Sequence, residues 1–364
     1  MFNPTDLEAL RDRVQQAIEA QITDAGRLLG EIGDEIAPLT GAVSGLLRGG
    51  KGLRAGFLYW GYRAAGGEDS DELVRLAASM EFFQGAALLH DDVMDRSDTR
   101  RGMPAAHRAV ASLHRQRGWA GDADRFGEGT AILAGDLCLT WCDEMYATCG
   151  LPEGDLARGR SQFDGMRTQL MGGQFLDLLE AARGWSGLDL EARIASARKV
   201  IRFKSAKYTI EQPVLIGALV GGAEQAALAP LSAYGLALGE AFQLRDDVLG
   251  VFGDPEATGK PAGDDLREGK LTLLVAHVLD AADEHDRATV ETLLGRDDLD
   301  AAGVEQIRGI MTATGAVDRV ESLITTLAGD AHGAVGKARA AGCFDDEALD
   351  VLDELVAVST ARHA

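Results

Sequence analysis

The chain of 364 residues carries 36 lysines and arginines against 58 aspartates and glutamates, a formal net charge of −22. That balance argues against a nucleic-acid partner, because neutralising phosphates needs a net basic face. With 46% hydrophobic, 26% charged and only 5% aromatic residues, the composition excludes a disordered chain, disfavours an aromatic-rich β-sandwich and suits an all-helical body.

The N-terminal segment lacks a charged-then-apolar leader pattern. Thr5 and Glu8 have capping-box spacing instead and open a helix over about 6–30. Helical periodicity continues over about 37–65, 70–95, 129–149, 153–183, 190–222, 229–252, 270–295 and 304–341, with a last helix near 345–362. Ser70, followed by Asp71 and Glu72, supplies a capping side chain and first-turn acids for the third of these. Gly118 to Gly129, Gly184 to Gly187 and Gly253 to Gly269 carry loop chemistry. No tandem repeat interrupts the pattern, so residues 1–364 read as a single all-α domain, with a motif-bearing core over 37–295 and C-terminal helices over 304–362. The longest apolar run, Pro213 to Gly222, is far short of the ~20 residues of a membrane span, and the expectation is a soluble, cytoplasmic protein. Cys138, Cys142 and Cys149 have spacings unlike a zinc motif and read as buried free thiols.

Two acidic constellations interrupt helical faces. With Met80 as reference on the face shared by Leu73, Leu76 and Ala77, Gln84 falls at about 40°, Ala87 at about −20°, Asp91 at about 20° and Asp95 at about 60°. Asp92 lies further round, near 120°. Two carboxylates thus continue a stripe expected to face inward. Like charges about 4 Å apart repel by roughly 4 kcal/mol at an effective dielectric of 20, and burial adds a desolvation cost. A divalent cation removes both problems, and hard oxygen donors suit Mg²⁺. The second constellation is in LALGEAFQLRDDVLGVFGD, where Gly239, Gln243, Asp247 and Gly250 recur every three or four residues beside Asp246.

Cations gather around both motifs: Arg100 and Arg101 after the first, Lys204 and Lys207 in IRFKSAKYTIEQP, and Lys260 and Lys270 after the second. Gly50-Lys51-Gly52-Leu53-Arg54 adds backbone amides and two cations suited to a diphosphate. Gly45 to Lys51 also matches GxxxxGK, but Gly52 replaces the Mg²⁺-binding hydroxyl and no strand precedes it, so a P-loop is rejected. His90 reads as a packed or hydrogen-bonded histidine. No nucleophile elbow is present, which leaves a catalytic triad unsupported.

From about Gly49 to Lys270 these motifs, in this order, resemble the trans-isoprenyl diphosphate synthases. GGKGLRA resembles the family's GGKxxRP, with Ala55 in place of proline. DDVMD with RRGMP resembles the first Asp-rich motif and its arginine pair, and GGQFLD the GQxxD motif. FKSAKY resembles the K-T/S motif, and FQLRDD…TGKPAGDDLREGK the second Asp-rich region, with Gly250 where many members have a third Asp. The resemblance implies an antiparallel helical bundle around a deep central cavity, usually a homodimer. It further implies Mg²⁺, three ions per active site, held by Asp91, Asp92, Asp95, Asp177, Asp246 and Asp247. Arg100, Lys204 and Lys260 would clamp the allylic diphosphate, with Ser205, Gln243 and Lys270 lining that part of the site. Gly50, Lys51, Arg54, Gln84 and Arg101 would bind isopentenyl diphosphate. Gln84 stands where many members have His.

In this family, residues just before the first Asp-rich motif floor the pocket for the growing chain. Ala86 and Ala87 are small and would let it pass a turn deeper, toward Phe83. That favours geranylgeranyl diphosphate as product, with farnesyl or longer chains as alternatives. A class I terpene cyclase would need one diphosphate pocket only, and a non-catalytic partner subunit commonly loses an Asp-rich motif; both motifs are largely intact here.

Overall fold

The computed structural model describes residues 4–253, 263–296 and 298–360, with side chains from residue 7 onward. The Thr5 capping hydroxyl and Lys260 therefore lie outside the described residues. Nearly all the described chain is helical, and the only strands among the described residues are Thr99–Arg100 and Met103–Pro104. No helix among them is long and apolar enough to cross a membrane.

The described residues form two compact units. The first takes residues up to Gly159 together with Gly217–Gly222; the second takes Arg160–Ile216 and residues from Ala223 onward. At the centre of the first unit is α4 (Asp71–Met94), packed by α1 (Pro4–Gly30), α2 (Ala37–Leu47), α3 (Leu53–Ala64), α5 (Ala106–Arg117) and α6 (Ala123–Ala147). Ser70 caps α4 as its sequence implies, accepting from the Leu73 N–H at 3.1 Å.

Expected and observed boundaries part at three places in this unit. The helix expected over 37–65 is two, because Gly49 and Gly52 adopt left-handed backbone (φ 72° and 63°) that ends one helix and starts the next. The helix α5 was not anticipated. It is rich in His and Arg, and the face it buries is made of His107, Val110, Ala111 and His114, so no run of large apolar residues marks it. The loop expected over 118–129 is shorter, since Asp122 accepts from the Asp124 and Arg125 N–H groups and starts α6 at Ala123.

The second unit is built around α10 (Ala229–Phe252), as expected from sequence. It also holds α7 (Glu153–Arg183) from Arg160 onward, and α8 (Leu190–Val200), which runs into a π-helical stretch (Ile201–Glu211) and then α9 (Gln212–Val220) as far as Ile216. The wide helix was not anticipated. Pro213 cannot donate to the carbonyl four residues back, and its ring crowds that turn. The chain meets this with i→i−5 bonding, as in Gln212 N–H to the Lys207 carbonyl.

Beyond α10 lie α11 (Asp264–Arg267), α12 (Leu273–Ala281), α13 (Glu284–Leu293), α14 (Ala301–Ala313), α15 (Ala316–Ala341) and α16 (Asp346–Thr360). The helices expected over 270–295 and 304–341 are each divided, the first by the Asp283 cap and the second by Gly315 at φ 69°. Leu244, Leu274, Val278, Ile307, Met311 and Val320 form the buried heart of this unit. Arg245 of α10 reaches Glu321 of α15 with both terminal nitrogens (2.5 and 2.7 Å) and the Thr360 carbonyl with Nε (3.0 Å). The Tyr234 hydroxyl donates to the Leu352 carbonyl at 2.6 Å. The C-terminal helices thus buttress α10, the helix that carries the second acidic motif.

Candidate active site

In the first unit α4 is enclosed on nearly every side, and its one continuous half-open stripe runs Gln84, Ala87, Leu88, Asp91 and Asp95. The face read from sequence is buried over Leu73, Leu76, Ala77 and Met80, as expected, and opens only from Gln84 onward. Asp91 and Asp95 thus lie on the half-open part, while Asp92 is the enclosed acid at 2% exposure. Apolar residues surround α4, so the point where it opens could not be told from periodicity alone. Ala86 and Phe83 are each 1% exposed, within the core of the unit, and Ala87 borders the open stripe.

Asp92 is neutralised by Arg100, whose Nε donates at 3.0 Å and whose Nη2 makes a second, shorter contact to the same oxygen. The strand pair delivers this arginine. Arg100 pairs with Met103 across a two-residue turn in which Arg101 (φ 54°) and Gly102 (φ 72°) are both left-handed. That is the turn geometry that matches strand twist, and holding a non-glycine residue there costs of order 1 kcal/mol. The Arg101 side chain donates to the Leu46 carbonyl at 2.9 Å, near the end of α2. Burial pulls its guanidinium down from the usual arginine range, partly offset by the charge of Glu81.

Glu81 escaped the sequence reading. It is 7% exposed, and its Oε1 accepts the Ala55 N–H at 3.1 Å in the first turn of α3. The Gly50 β-position lies 3.8 Å from Glu81 Oε2 and 3.9 Å from Arg101 Nη2. The signal available was an acid three residues before Gln84, on a helix with otherwise apolar neighbours. Lys51 is exposed and Arg54 half-buried on the same loop and helix start.

In the second unit the FKSAKY segment lies within the π-helical stretch, where glycines of two neighbours press against its backbone. A Cβ on Gly173 of α7 would stand 2.5 Å from the Lys204 nitrogen, and one on Gly239 of α10 would stand 2.6 Å from the Ala206 Cα. Both are closer than real Cβ atoms approach, so glycine is required at each crossing. The contact at Gly173 sets Asp177, one turn on, against Lys204, with Nζ to Oδ2 at 2.5 Å. Ser205 is buried. Lys207 turns elsewhere, pairing with Glu211 at 2.9 Å.

On α10 the Gln243 amide donates to Asp247 Oδ1 at 2.8 Å, and Asp246 is half-buried beside it. Asp247 is 7% exposed. Its carboxyl is pushed up to about 7 by burial first and then by the Asp265 charge, against the opposing Gln243 hydrogen bond and Lys270 charge. Asp265 occupies the space a side chain at Gly250 would need, its Oδ2 standing 1.9 Å from that β-position. Lys270 holds Asp265 (3.2 Å) and Glu268 (2.5 Å).

The donors fit Mg²⁺, since both halves offer carboxylate oxygens, and Asp247 is a buried acid that only a cation would hold fully ionised at neutral pH. Among the described residues no three His, Cys, Asp or Glu side chains already converge on a cation position. His90 packs as read, its Nε2 3.1 Å from the Ile132 carbonyl. All four cysteines are free, Cys343 alone exposed. A separate cavity of about 390 Å³ in the second unit is lined by Gln162, Gln169, Lys207, Glu211, Gln212 and Ser232, and contains none of the predicted site residues. Its Glu211 carboxylate is satisfied by Lys207, Ser232 (2.7 Å) and Gln212 (3.0 Å).

Residues 37–311 match the family model described as polyprenyl synthetase. The chain is 33% identical over 293 residues to a geranylfarnesyl diphosphate synthase of Aeropyrum pernix, covering 78% of this chain and 82% of that protein. It is 30% identical over 276 residues to a geranylgeranyl diphosphate synthase of Methanosarcina mazei, covering 76% of each. Among solved structures, the geranylgeranyl pyrophosphate synthase from Corynebacterium glutamicum, complexed with isoprenyl diphosphate and magnesium, superposes with a TM-score of 0.88 at 37% identity over 98% of both chains.

Proposed function

The chain belongs to the polyprenyl synthetase family, and from that premise we propose that this prenyltransferase condenses isopentenyl diphosphate head-to-tail with an allylic diphosphate to give geranylgeranyl diphosphate. The half-open stripe of Gln84, Ala87, Leu88, Asp91 and Asp95 on α4 carries the proposal. It sets acids at one end and small or apolar side chains behind them, the order needed by a substrate with an anionic head and a hydrocarbon tail.

Asp91, Asp92, Asp95, Asp177, Asp246 and Asp247 would hold three Mg²⁺ ions, which when bound supply the charge that stabilises a departing diphosphate. Arg100 and Lys204, each resting on an aspartate in this structure, exchange that partner for diphosphate oxygens, with Lys260, Ser205, Gln243 and Lys270 completing the clamp. Gly50, Lys51, Arg54, Gln84 and Arg101 orient isopentenyl diphosphate so that its double bond attacks the allylic carbon as the leaving group departs. Loss of a proton then gives the longer allylic product. The homodimer and cytoplasmic setting belong to the same reading.

Purified protein would be given Mg²⁺, isopentenyl diphosphate and dimethylallyl, geranyl or farnesyl diphosphate in turn, with products sized by mass spectrometry. A C20 diphosphate is the expected result. Another length keeps the reaction and removes the geranylgeranyl assignment. A hydrocarbon or alcohol made without isopentenyl diphosphate would replace the reading with a cyclase.

A further inference from the structure

We propose that Glu81 is a positioning residue that sets the isopentenyl diphosphate half of the site, an inference that rests on the reaction proposed above. A buried carboxylate beside Arg101, which itself lies near Arg54 and Arg100, opposes the binding of an anion there, because it cancels part of the field those cations provide. Its presence calls for a compensating role, and the geometry points to one. The segment Gly49-Gly50-Lys51-Gly52 has two left-handed glycines and one side chain of its own, exposed Lys51. Such a segment loses much conformational entropy on ordering. Glu81 ties down its far end by accepting the Ala55 N–H at 3.1 Å. Its other oxygen lies against Gly50 at the near end, beside Arg101. One side chain on the rigid centre of the unit thus bonds the start of α3 just beyond the loop and lies near Gly50 within it, a single turn from Gln84.

Position 55 sharpens the inference. The motif that GGKGLRA resembles has proline there, which has no N–H to donate. Ala55 provides the donor that the Glu81 carboxylate uses.

Steady-state kinetics with each substrate varied in turn would be measured for Glu81→Ala, Glu81→Gln, Ala55→Pro and the Ala55→Pro/Glu81→Ala pair, alongside melting temperatures. Glu81→Ala is expected to raise KM for isopentenyl diphosphate about ten-fold while the allylic KM stays within about two-fold. Glu81→Gln keeps an acceptor and is expected to stay within about three-fold of the parent. In the Ala55→Pro background, where the bond has no donor, Glu81→Ala should add less than about two-fold. Equal shifts in both KM values, a Gln variant as impaired as the Ala variant, or an undiminished effect in the Ala55→Pro background each overturn the inference. Should Glu81→Ala fail to fold, the Gln variant and Ala55→Pro still decide it. A parent protein that incorporates no isopentenyl unit refutes the reaction instead. Hydrogen exchange then reads the bond directly: an Ala55 amide as protected in Glu81→Ala as in the parent removes the positioning role, whereas loss of protection in Glu81→Ala with retention in Glu81→Gln is expected.

Discussion

Asp247 turns a structural observation into a pH dependence. Its carboxyl titrates at about 7 in the folded chain and near 3.9 when unfolded, so the folded state binds the proton more tightly. The stability this contributes is full below about pH 4 and is lost as pH rises to about 7. The melting temperature of metal-free protein, measured relative to Asp247→Asn, should therefore fall across that window and level off above it. A difference that stays flat with pH would show that Asp247 is not held in a desolvated site. The chain-length argument is also decided residue by residue. Ala87 borders the open stripe and Ala86 is enclosed. Ala87→Phe should shorten the product with little loss of stability, whereas Ala86→Phe should overpack the core by about 1–3 kcal/mol; mass spectrometry of products beside thermal melts separates the two. Most of these residues were legible in the sequence as types and spacings. What was not legible is which acid is enclosed. Asp92 turns inward because Arg100 returns from a turn that no periodicity announces. Gly250 read as a missing carboxylate, and the space beside it is filled by Asp265 from fifteen residues on.

Among the elements, α7 and α10 have the limits expected from their sequences, and α4 is within a residue of them. Each is a long stretch of unbroken helical period bounded by capping or breaking residues. The strand pair and the π-helical stretch were missed for a common reason: both are set by backbone geometry at single residues, Arg101 with Gly102 and Pro213, and neither leaves a hydrophobic period. Glycines within helices were legible as sites of close packing, though not as to what they pack against. Gly173→Ala tests the most consequential of them. The new methyl would meet the backbone at Phe203 and Lys204, which cannot give way as a flexible side chain would. The expected cost is about 1–3 kcal/mol in stability, with turnover falling further than stability alone explains because Lys204 is displaced from Asp177. Turnover that simply tracks the folded fraction would remove the link between the crossing and the site.

At the scale of the whole chain, the all-helical reading needed only composition and period, while the division into two units rests on contacts far apart in sequence. The C-terminal helices had no role legible in their residues. Their role comes from what they lean on, since Arg245 and Tyr234 tie α10 to α15 and α16. Removing residues 345–364 would take away Ala348, Leu349, Val351, Leu352, Leu355 and Val356, all buried, and leave the faces they cover open to water. The larger of these contribute about 1.5–3 kcal/mol each, together comparable with the ~5–15 kcal/mol net stability of a domain. The truncated chain is expected to lose cooperative melting of the second unit, followed by calorimetry. A truncated protein that melts within a few degrees of the full chain would show that α10 stands without its buttress.

The π-helical stretch also bears on how this chain tolerates change in length. A helix wound one residue wider per turn has the geometry left by a one-residue insertion into an α-helix. Deleting a residue between Ile201 and Glu211 would therefore let the stretch relax toward ordinary α-helix with its flanks kept in phase. Ile201 on one side and Val214 on the other, both buried, would stay so. The opposite edit, a single residue added to α7 or α10 where the winding is already regular, has no such slack to absorb it. Length variants among natural or engineered forms should therefore gather in the loops and in this stretch, and avoid the regularly wound helices.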